Sequence, residues 1–191
     1  MIPESSLYSH FNIYGWWKKI TKHWFTSYLS NYYTKNKKFG LDIGCKFKPY
    51  DNDINCHYLG IDLPSEKFCN SEKKPELYSS GTDLPFRDNS FDFVNSYSVV
   101  PYVKNPDKLF SEIFRVLKKD GVAIIIIMNL RGLALQPETH FENRYSSSDL
   151  HKKLRKHSFK SIKWRNVKAL FFSTYFDLTS VYSYAIVTPK K

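Results

Sequence analysis

A capped helix followed at once by an unbroken apolar strand is the feature that most constrains the fold of this chain. Asn105 and Pro106 open the helical run NPDKLFSEIFRVLKK as N-cap and first helical residue, and Gly121 follows its end. The next segment, 122–128, reads VAIIIIM and is apolar without alternation, which is typical of a strand covered on both faces. Together they predict a parallel sheet with helices on both sides.

The same alternation of strands and helices continues along the rest of the chain. Runs rich in β-branched and aromatic residues predict further strands, and a polar run with serine caps predicts a second helix. The predicted strands are 39–44, 57–62, 76–81, 90–98, 159–167 and 181–188, and the predicted helix is 146–157. This order indicates a doubly wound α/β sheet, in which ligands bind at the carboxyl ends of the strands.

Residues 1–38 are predicted to form an aromatic-rich helical extension, and residues 39–191 are predicted to form the main domain. Within the extension, 11–34 has the pattern of an amphipathic helix with a stripe at every fourth position. The stripe consists of Trp16, Ile20, Trp24, Tyr28 and Tyr32, flanked by Trp17, Phe25 and Leu29. We expect it to pack on the domain or to form a lid over a site; peripheral contact with a membrane surface is the alternative.

The net charge, the cysteines and the lengths of the apolar runs indicate which partners and which location to expect. A formal net charge of +11 favours an acidic partner such as nucleic acid, anionic lipid or a phosphorylated substrate, although lysine that only hydrates the surface gives the same balance. Three cysteines without a CxxC pair argue against a disulfide framework or a zinc site, so a cytoplasmic location is expected. No run reaches the about 20 apolar residues of a transmembrane helix, and no signal-peptide pattern opens the chain.

Three turns at the ends of predicted strands carry the residues that point to a ligand. Gly44 follows the first strand in LDIGCKFKPY, Asp62 ends the next strand 18 residues later, and Asp83 lies in the turn TDLPF. A carboxylate at the position of Asp62 can accept hydrogen bonds from both hydroxyls of a ribose, each contributing about 1.5–3 kcal/mol. The spacing therefore predicts a nucleotide-like ligand.

At this point the sequence resembles a known family, the class I S-adenosylmethionine-dependent methyltransferases of the type 11 group. The run from GTDLPFRDNSFDFVNSYS to FRVLKKDGVAIIIIM looks like the middle of that domain, and LDIGC and YLGID look like its first two cofactor motifs. The resemblance covers roughly residues 39–188. It implies a Rossmann-like, mostly parallel seven-stranded sheet with an antiparallel last strand, and S-adenosyl-L-methionine as the cofactor.

The resemblance also implies a role for individual residues. The methionine end of the cofactor would lie against Asp42 and the turn of Gly44, Cys45 and Lys46. Asp62 would hold the ribose, with Leu63 beside the adenine. The remaining cofactor contacts would come from Asp83 and Leu84 at the adenine edge and from Ser96 and Tyr97 near the sulfonium.

Two departures from the family pattern bear on activity. Lys46 stands where the family has a second glycine, at a cost of about 1–2 kcal/mol if the position needs a positive φ. Pro101 and Tyr102 replace the Glu-His pair that often follows the fourth strand. A catalytically degenerate binding protein with the methyltransferase fold is therefore an alternative to an active enzyme.

The methyl acceptor is expected to be a small molecule, a lipid or a glycan, with RNA as the alternative that the basic surface suggests. The run NSYS lacks the Asn/Asp-Pro-Pro-aromatic pattern of many methyltransferases that act on exocyclic base nitrogens. His140 and Tyr145, in the predicted loop after the apolar strand, are the candidate catalytic residues. No metal is expected, because the histidines are not spaced as ligands.

Overall fold

The computed structural model describes residues 25–134, 140–166 and 182–191. Four helices pack on a seven-stranded sheet in this part of the chain. The strands are β1 Phe39–Ile43, β2 His57–Asp62, β3 Leu77–Tyr78, β4 Phe91–Tyr97, β5 Leu117–Met128, β6 Phe159–Asn166 and β7 Tyr182–Pro189. The helices are α1 at 25–34, α2 Pro106–Val116, α3 Leu130–Ala134 and α4 Ser147–Lys156.

The strand order is β3-β2-β1-β4-β5-β7-β6. Strands β1 to β5 are parallel, whereas β7 pairs antiparallel with both β5 and β6. The predicted Rossmann-like sheet with an antiparallel last strand is confirmed. Strand β1 lies between β2 and β4, so the chain order reverses there, and such a reversal opens a crevice at the carboxyl ends of the strands.

Each face of the sheet has its own apolar core. On one face, Leu41, Val94 and Ile125 pack beneath α2 and α4. On the other face, Phe93 and Ile124 pack with Leu29 of α1 and Leu133 of α3. Helices therefore cover both faces, as the continuous apolar strand β5 predicts.

The helix in front of β5 is shorter than predicted. Asn105 caps α2 as expected, because its side chain accepts a hydrogen bond from the backbone nitrogen of Lys108 at 3.1 Å. However, α2 ends at Val116 and β5 already begins at Leu117, so Gly121 lies inside the strand and is not a helix cap. A Cβ at Gly121 would lie 2.8 Å from the Leu117 side chain, so the glycine is needed where the beginning of β5 is irregular.

The packing face of α1 also differs from the predicted stripe. Tyr28 and Tyr32 are more than half exposed, at 54% and 58%. The side that faces the sheet is formed instead by Thr26, Leu29, Ser30 and Thr34. A spacing of four residues exceeds the helical repeat of 3.6, and small hydroxyl side chains let α1 approach the sheet closely.

The lid and membrane-surface roles of the extension stay predictions, because residues 1–24, with Trp16, Ile20 and Trp24, lie outside the described residues. Across the described ranges, the structure contains no helix with both the length and the apolar composition needed to cross a membrane.

Candidate functional site

A cleft opens at the carboxyl ends of β1 and β4, next to the reversal in strand order. Its empty volume is about 340 Å³, and it is lined by Asp42, Gly44, Cys45, Lys46, Pro49, Tyr50 and Tyr97. The sheet topology thus brings residues from two separate sequence motifs to one site. Five of the predicted cofactor residues (Asp42, Gly44, Cys45, Lys46 and Tyr97) are in this lining.

The turn after β1 requires glycine at its first position. Gly44 has a φ of +73°, and a Cβ there would lie 2.4 Å from Cγ2 of Val99. The backbone nitrogens of Gly44 and Cys45 donate to the carbonyl oxygen of Ile61 at 2.8 and 3.1 Å. The turn is therefore fixed to the end of β2, which is the strand that carries Asp62.

Asp62 holds the next part of the same loop. Its Oδ2 accepts a hydrogen bond from the backbone nitrogen of Lys46 at 2.9 Å, and its Oδ1 accepts one from Leu63 at 2.8 Å. Lys46 itself is exposed and has a φ of 50°, the left-handed conformation that the missing glycine would adopt easily. Leu63 lies beside Asp62 and is largely exposed.

Asp42 contributes a buried carboxylate to the cleft. It is 3% exposed, and none of the described residues donates a hydrogen bond to it. Burial raises the pKa of Asp42 to about 7; Lys48 opposes this shift, and the charges of Asp62 and Glu76 add to it. A ligand that brings a positive charge or a hydrogen-bond donor would compensate the cost of burying this group.

Cys45 is an unreactive member of the lining. Burial, together with the nearby Asp42, Asp62 and Glu76, raises the pKa of its thiol to about 12. The sulfur is therefore protonated at neutral pH and is a poor nucleophile.

Two tyrosines form the aromatic wall of the cleft. The rings of Tyr50 and Tyr97 meet edge to face, with centroids 5.3 Å apart. The hydroxyl of Tyr97 lies 2.9 Å from Oγ of Ser30, so this wall is tied to α1. Burial raises the pKa of both phenols, which stay neutral at physiological pH.

The turn that carries Asp83 lies at the same edge of the sheet but is not in the cleft lining. The backbone nitrogen of Ser79, at the start of this turn, donates to the carbonyl oxygen of Asp62 at 2.9 Å. Asp83 is exposed. Leu84 is buried in the core beneath α2, and its backbone nitrogen donates to Oε2 of Glu112 at 2.8 Å.

The two predicted residues of β4 point to opposite faces of the sheet, because successive side chains of a strand alternate. Tyr97 lies on the face of Asp42, whereas Ser96 is fully buried in register with Ile43, on the face of α2. The structure therefore brings Tyr97, but not Ser96, into the cleft.

Neither candidate catalytic residue lines the cleft. The side chain of His140 is 86% exposed, with Nε2 3.4 Å from Oε1 of Glu142. The hydroxyl of Tyr145 donates to Oδ1 of Asn143 at 3.3 Å. Their catalytic role stays a prediction.

Several residues of this region lie at the ends of the predicted strands, where the ligand was expected, but no individual role was predicted for them. Pro49 and Tyr50 line the cleft. The sequence feature that indicated them is their position at the end of GCKFKPY, the run that begins with the turn glycine. Asn95 is fully buried in register with Asp42, and neither end of its amide has a hydrogen-bond partner among the described residues. The sequence feature that indicated Asn95 is its polar side chain within FDFVNSY, a run otherwise typical of a buried strand.

Comparison with known proteins finds a family match and several similar sequences. Residues 41–125 match the family described as methyltransferase domain. An uncharacterized protein of Methanocaldococcus jannaschii is 35% identical over 92 residues, which are 47% of this chain and 44% of that protein. Phosphoethanolamine N-methyltransferase 2 of Caenorhabditis elegans is 33% identical over 108 residues, 52% of this chain and 24% of that enzyme. The aligned part spans less than half the length of each of these curated relatives.

A solved structure gives the same fold over more of the chain. Haemonchus contortus phosphoethanolamine N-methyltransferase 2, in complex with phosphomonomethylethanolamine and S-adenosylhomocysteine, superposes with a TM-score of 0.68 at 17% identity. The match covers 88% of this chain and 53% of that one. The chain thus matches the methyltransferase domain family over residues 41–125, and it shares the Rossmann-like methyltransferase fold with this solved structure.

Proposed function

We propose that the chain is an active methyltransferase that binds S-adenosylmethionine in the cleft between β1, β2 and β4. One observation carries the proposal: a turn with no room for a side chain at Gly44 lies between the buried carboxylate of Asp42 and the carboxylate of Asp62. These three features lie at the carboxyl ends of two neighbouring strands, β1 and β2.

The residues present fit this cofactor. Asp42 has no donor among the described residues and would accept hydrogen bonds from the cationic amino group at the methionine end. Each oxygen of Asp62 accepts one backbone hydrogen bond and retains a lone pair for a ribose hydroxyl.

The cofactor supplies the electrophile of the reaction, the methyl group on its sulfonium. The protein would bind and orient the two reactants and exclude water. The raised pKa of Cys45 keeps that thiol protonated, so the buried sulfur does not compete with the acceptor for the methyl group.

His140 and Tyr145 would act on the acceptor side of the site. The segment that carries them is tied to the residues after β4, because the backbone nitrogen of Asn143 donates to the carbonyl oxygen of Pro101 at 3.1 Å. A side chain there would remove a proton from the acceptor only if that acceptor is protonated before attack.

The acceptor that we favour is a small polar molecule, a lipid or a glycan. The Caenorhabditis elegans relative is named for methylating phosphoethanolamine, and the net charge of +11 suits an acceptor that carries phosphate. RNA is the second candidate, supported by the exposed Lys152, Arg155 and Lys156 on α4. Lys153 of the same helix is instead paired with Asp107 at 2.6 Å.

Transfer of a radiolabelled methyl group tests the proposal. Wild-type protein, Asp62→Asn and Asp120→Asn would be incubated with labelled S-adenosylmethionine and pools of small amines, lipids, glycans and RNA. We expect transfer to one non-RNA pool, a loss of at least tenfold in Asp62→Asn and none in Asp120→Asn, whose exposed carboxylate lies at the opposite ends of the strands.

Transfer to RNA, weakened steeply by salt, would favour the second candidate. Cofactor binding without transfer to any pool would favour the degenerate binding protein instead.

A further inference from the structure

The loop between Gly44 and Tyr50 forms one side of the cleft in a conformation that needs support. Lys46 and Lys48 both have a positive φ, at 50° and 51°. L-residues adopt this conformation at a cost, so the surrounding contacts must hold it. The first half of the loop is held through backbone hydrogen bonds to Ile61 and to the carboxylate of Asp62.

The second half is held through the side chain of Lys48. Its Nζ lies 2.5 Å from Oε1 of Glu76, 3.8 Å from Oδ1 of Asp51 and 4.4 Å from the ring centroid of Tyr58. The side chain is only 12% exposed. An ammonium with carboxylates and an aromatic face around it is stabilised more than a solvated surface lysine.

The partners of Lys48 connect it to strand β2. Oε2 of Glu76 accepts a hydrogen bond from the backbone nitrogen of Gly60 at 2.6 Å, and the hydroxyl of Tyr58 donates to Oδ1 of Asp51 at 2.6 Å. Lys48 therefore links the loop to the strand that ends in Asp62.

We propose that Lys48 is a positioning residue for the cofactor, because its ammonium fixes the loop 44–50 against β2 and takes over the role of the glycine that Lys46 replaces. The inference rests on the proposed function, since it concerns the same cleft. Removal of the ammonium would let the loop relax and would separate Asp62 from its partner Lys46.

The charge of Lys48 also acts on Asp42, which gives a readout that a purely structural residue would not move. Asp42 is surrounded by Lys48, Asp62 and Glu76 as charged groups and by the neutral Cys45, Tyr50 and Tyr97. Lys48 lowers the pKa of Asp42 against the effect of burial. Without this cation, more of Asp42 is protonated at neutral pH and less carboxylate remains for the ligand.

Calorimetric titration with S-adenosylhomocysteine from pH 6 to 9 tests the proposal. Lys48→Met keeps the apolar stem, Lys48→Arg keeps the charge, and Lys160→Met is the matched control on an exposed lysine of β6, at the far edge of the sheet. At pH 7 we expect Lys48→Met to weaken binding at least tenfold. The midpoint of its pH dependence should lie above the wild-type value. The affinities of Lys48→Arg and Lys160→Met for S-adenosylhomocysteine should stay within about threefold of wild type.

The outcomes separate the two proposals. Absence of binding to the wild-type protein contradicts the proposed function, whereas tight binding that Lys48→Met leaves unchanged contradicts only the role of Lys48. Hydrogen exchange in the cofactor-free protein adds a second measurement. Peptides covering 44–51 should exchange faster in Lys48→Met while β5 is unchanged, and equal exchange in the loop would overturn the proposal.

If Lys48→Met is too unstable to titrate, Glu76→Gln replaces it. This variant keeps an acceptor for Gly60 and removes the charge that faces Lys48. Hydrogen exchange in peptides covering 44–51 should be faster in this variant, because the ammonium loses its carboxylate partner, and unchanged exchange there would count against the proposal.

Discussion

Replacement of Asp42 by Asn should stabilise the cofactor-free protein at neutral pH while removing cofactor binding. The folded protein raises the pKa of Asp42 from 3.8 to about 7, so the folded state holds this proton more tightly than the unfolded state does. Stability therefore falls as the pH rises from about 4 to 7, and the full cost remains above that window. Asn at this position carries no such cost.

The size of the effect follows from the shift in pKa. A difference of about 3 units at 1.36 kcal/mol each corresponds to about 4 kcal/mol at pH 8, as an upper value. At pH 5 the same calculation leaves about 2 kcal/mol. The asparagine amide has its own cost of burial, which lowers the gain equally at both values of pH.

Urea denaturation at pH 5, 6, 7 and 8 measures this difference. Wild-type protein and Asp42→Asn would be compared with Asp120→Asn, which removes an exposed carboxylate. The advantage of Asp42→Asn should grow by about 2 kcal/mol between pH 5 and 8, and the control should show no such growth. A difference that does not change with pH would refute the reasoning, because it would mean that Asp42 titrates normally in the folded state.

Three further substitutions test the geometry of the cleft through the urea midpoint. Gly44→Ala should lose at least about 2 kcal/mol and all S-adenosylhomocysteine binding, because the φ is positive and the new Cβ meets Val99; a stable, binding variant would contradict this. Lys46→Gly should gain about 1 kcal/mol by relieving a left-handed L-residue, and a loss would show that its side chain contributes contacts. Asn95→Leu should gain about 1–3 kcal/mol because the buried amide has no partner among the described residues, and no gain would indicate a bound water.

The sequence was sufficient for the sheet and for the centre of the site because both depend on local patterns. The apolar strand 122–128 and the capped helix before it are local signals, and the positive φ of the turn at Gly44 is a local reason for a glycine. The order of strands around β1 follows from the same alternation. Asp42 and Asp62 therefore lie close together as expected.

The parts that differed depend on contacts between distant segments. The end of α2 at Val116 is set by the pairing of β5 with β4, and the buried side of α1 is set by how closely small side chains such as Ser30 approach the sheet. The position of Leu84 follows from its hydrogen bond with Glu112 of α2. None of these contacts leaves a periodic signal in the sequence.

The pair of Lys48 and Glu76 is a further example, since 28 residues separate its members. Lys48 belongs to the turn after the first predicted strand, whereas Glu76 is the first residue of the predicted strand 76–81. Only the parallel pairing of β2 with β1 and β3 brings the ammonium and the carboxylate together. A charge pair of this kind can be identified only once the arrangement of the strands is known.

A crystal structure of the protein with S-adenosylhomocysteine tests the central claim most directly. We expect the ligand in the cleft between β1 and β4, with its ribose against Asp62 and its amino group against Asp42. Density for the ligand elsewhere, or a cleft closed by the side chain of Lys46 at millimolar ligand, would contradict the assignment of this cleft to the cofactor.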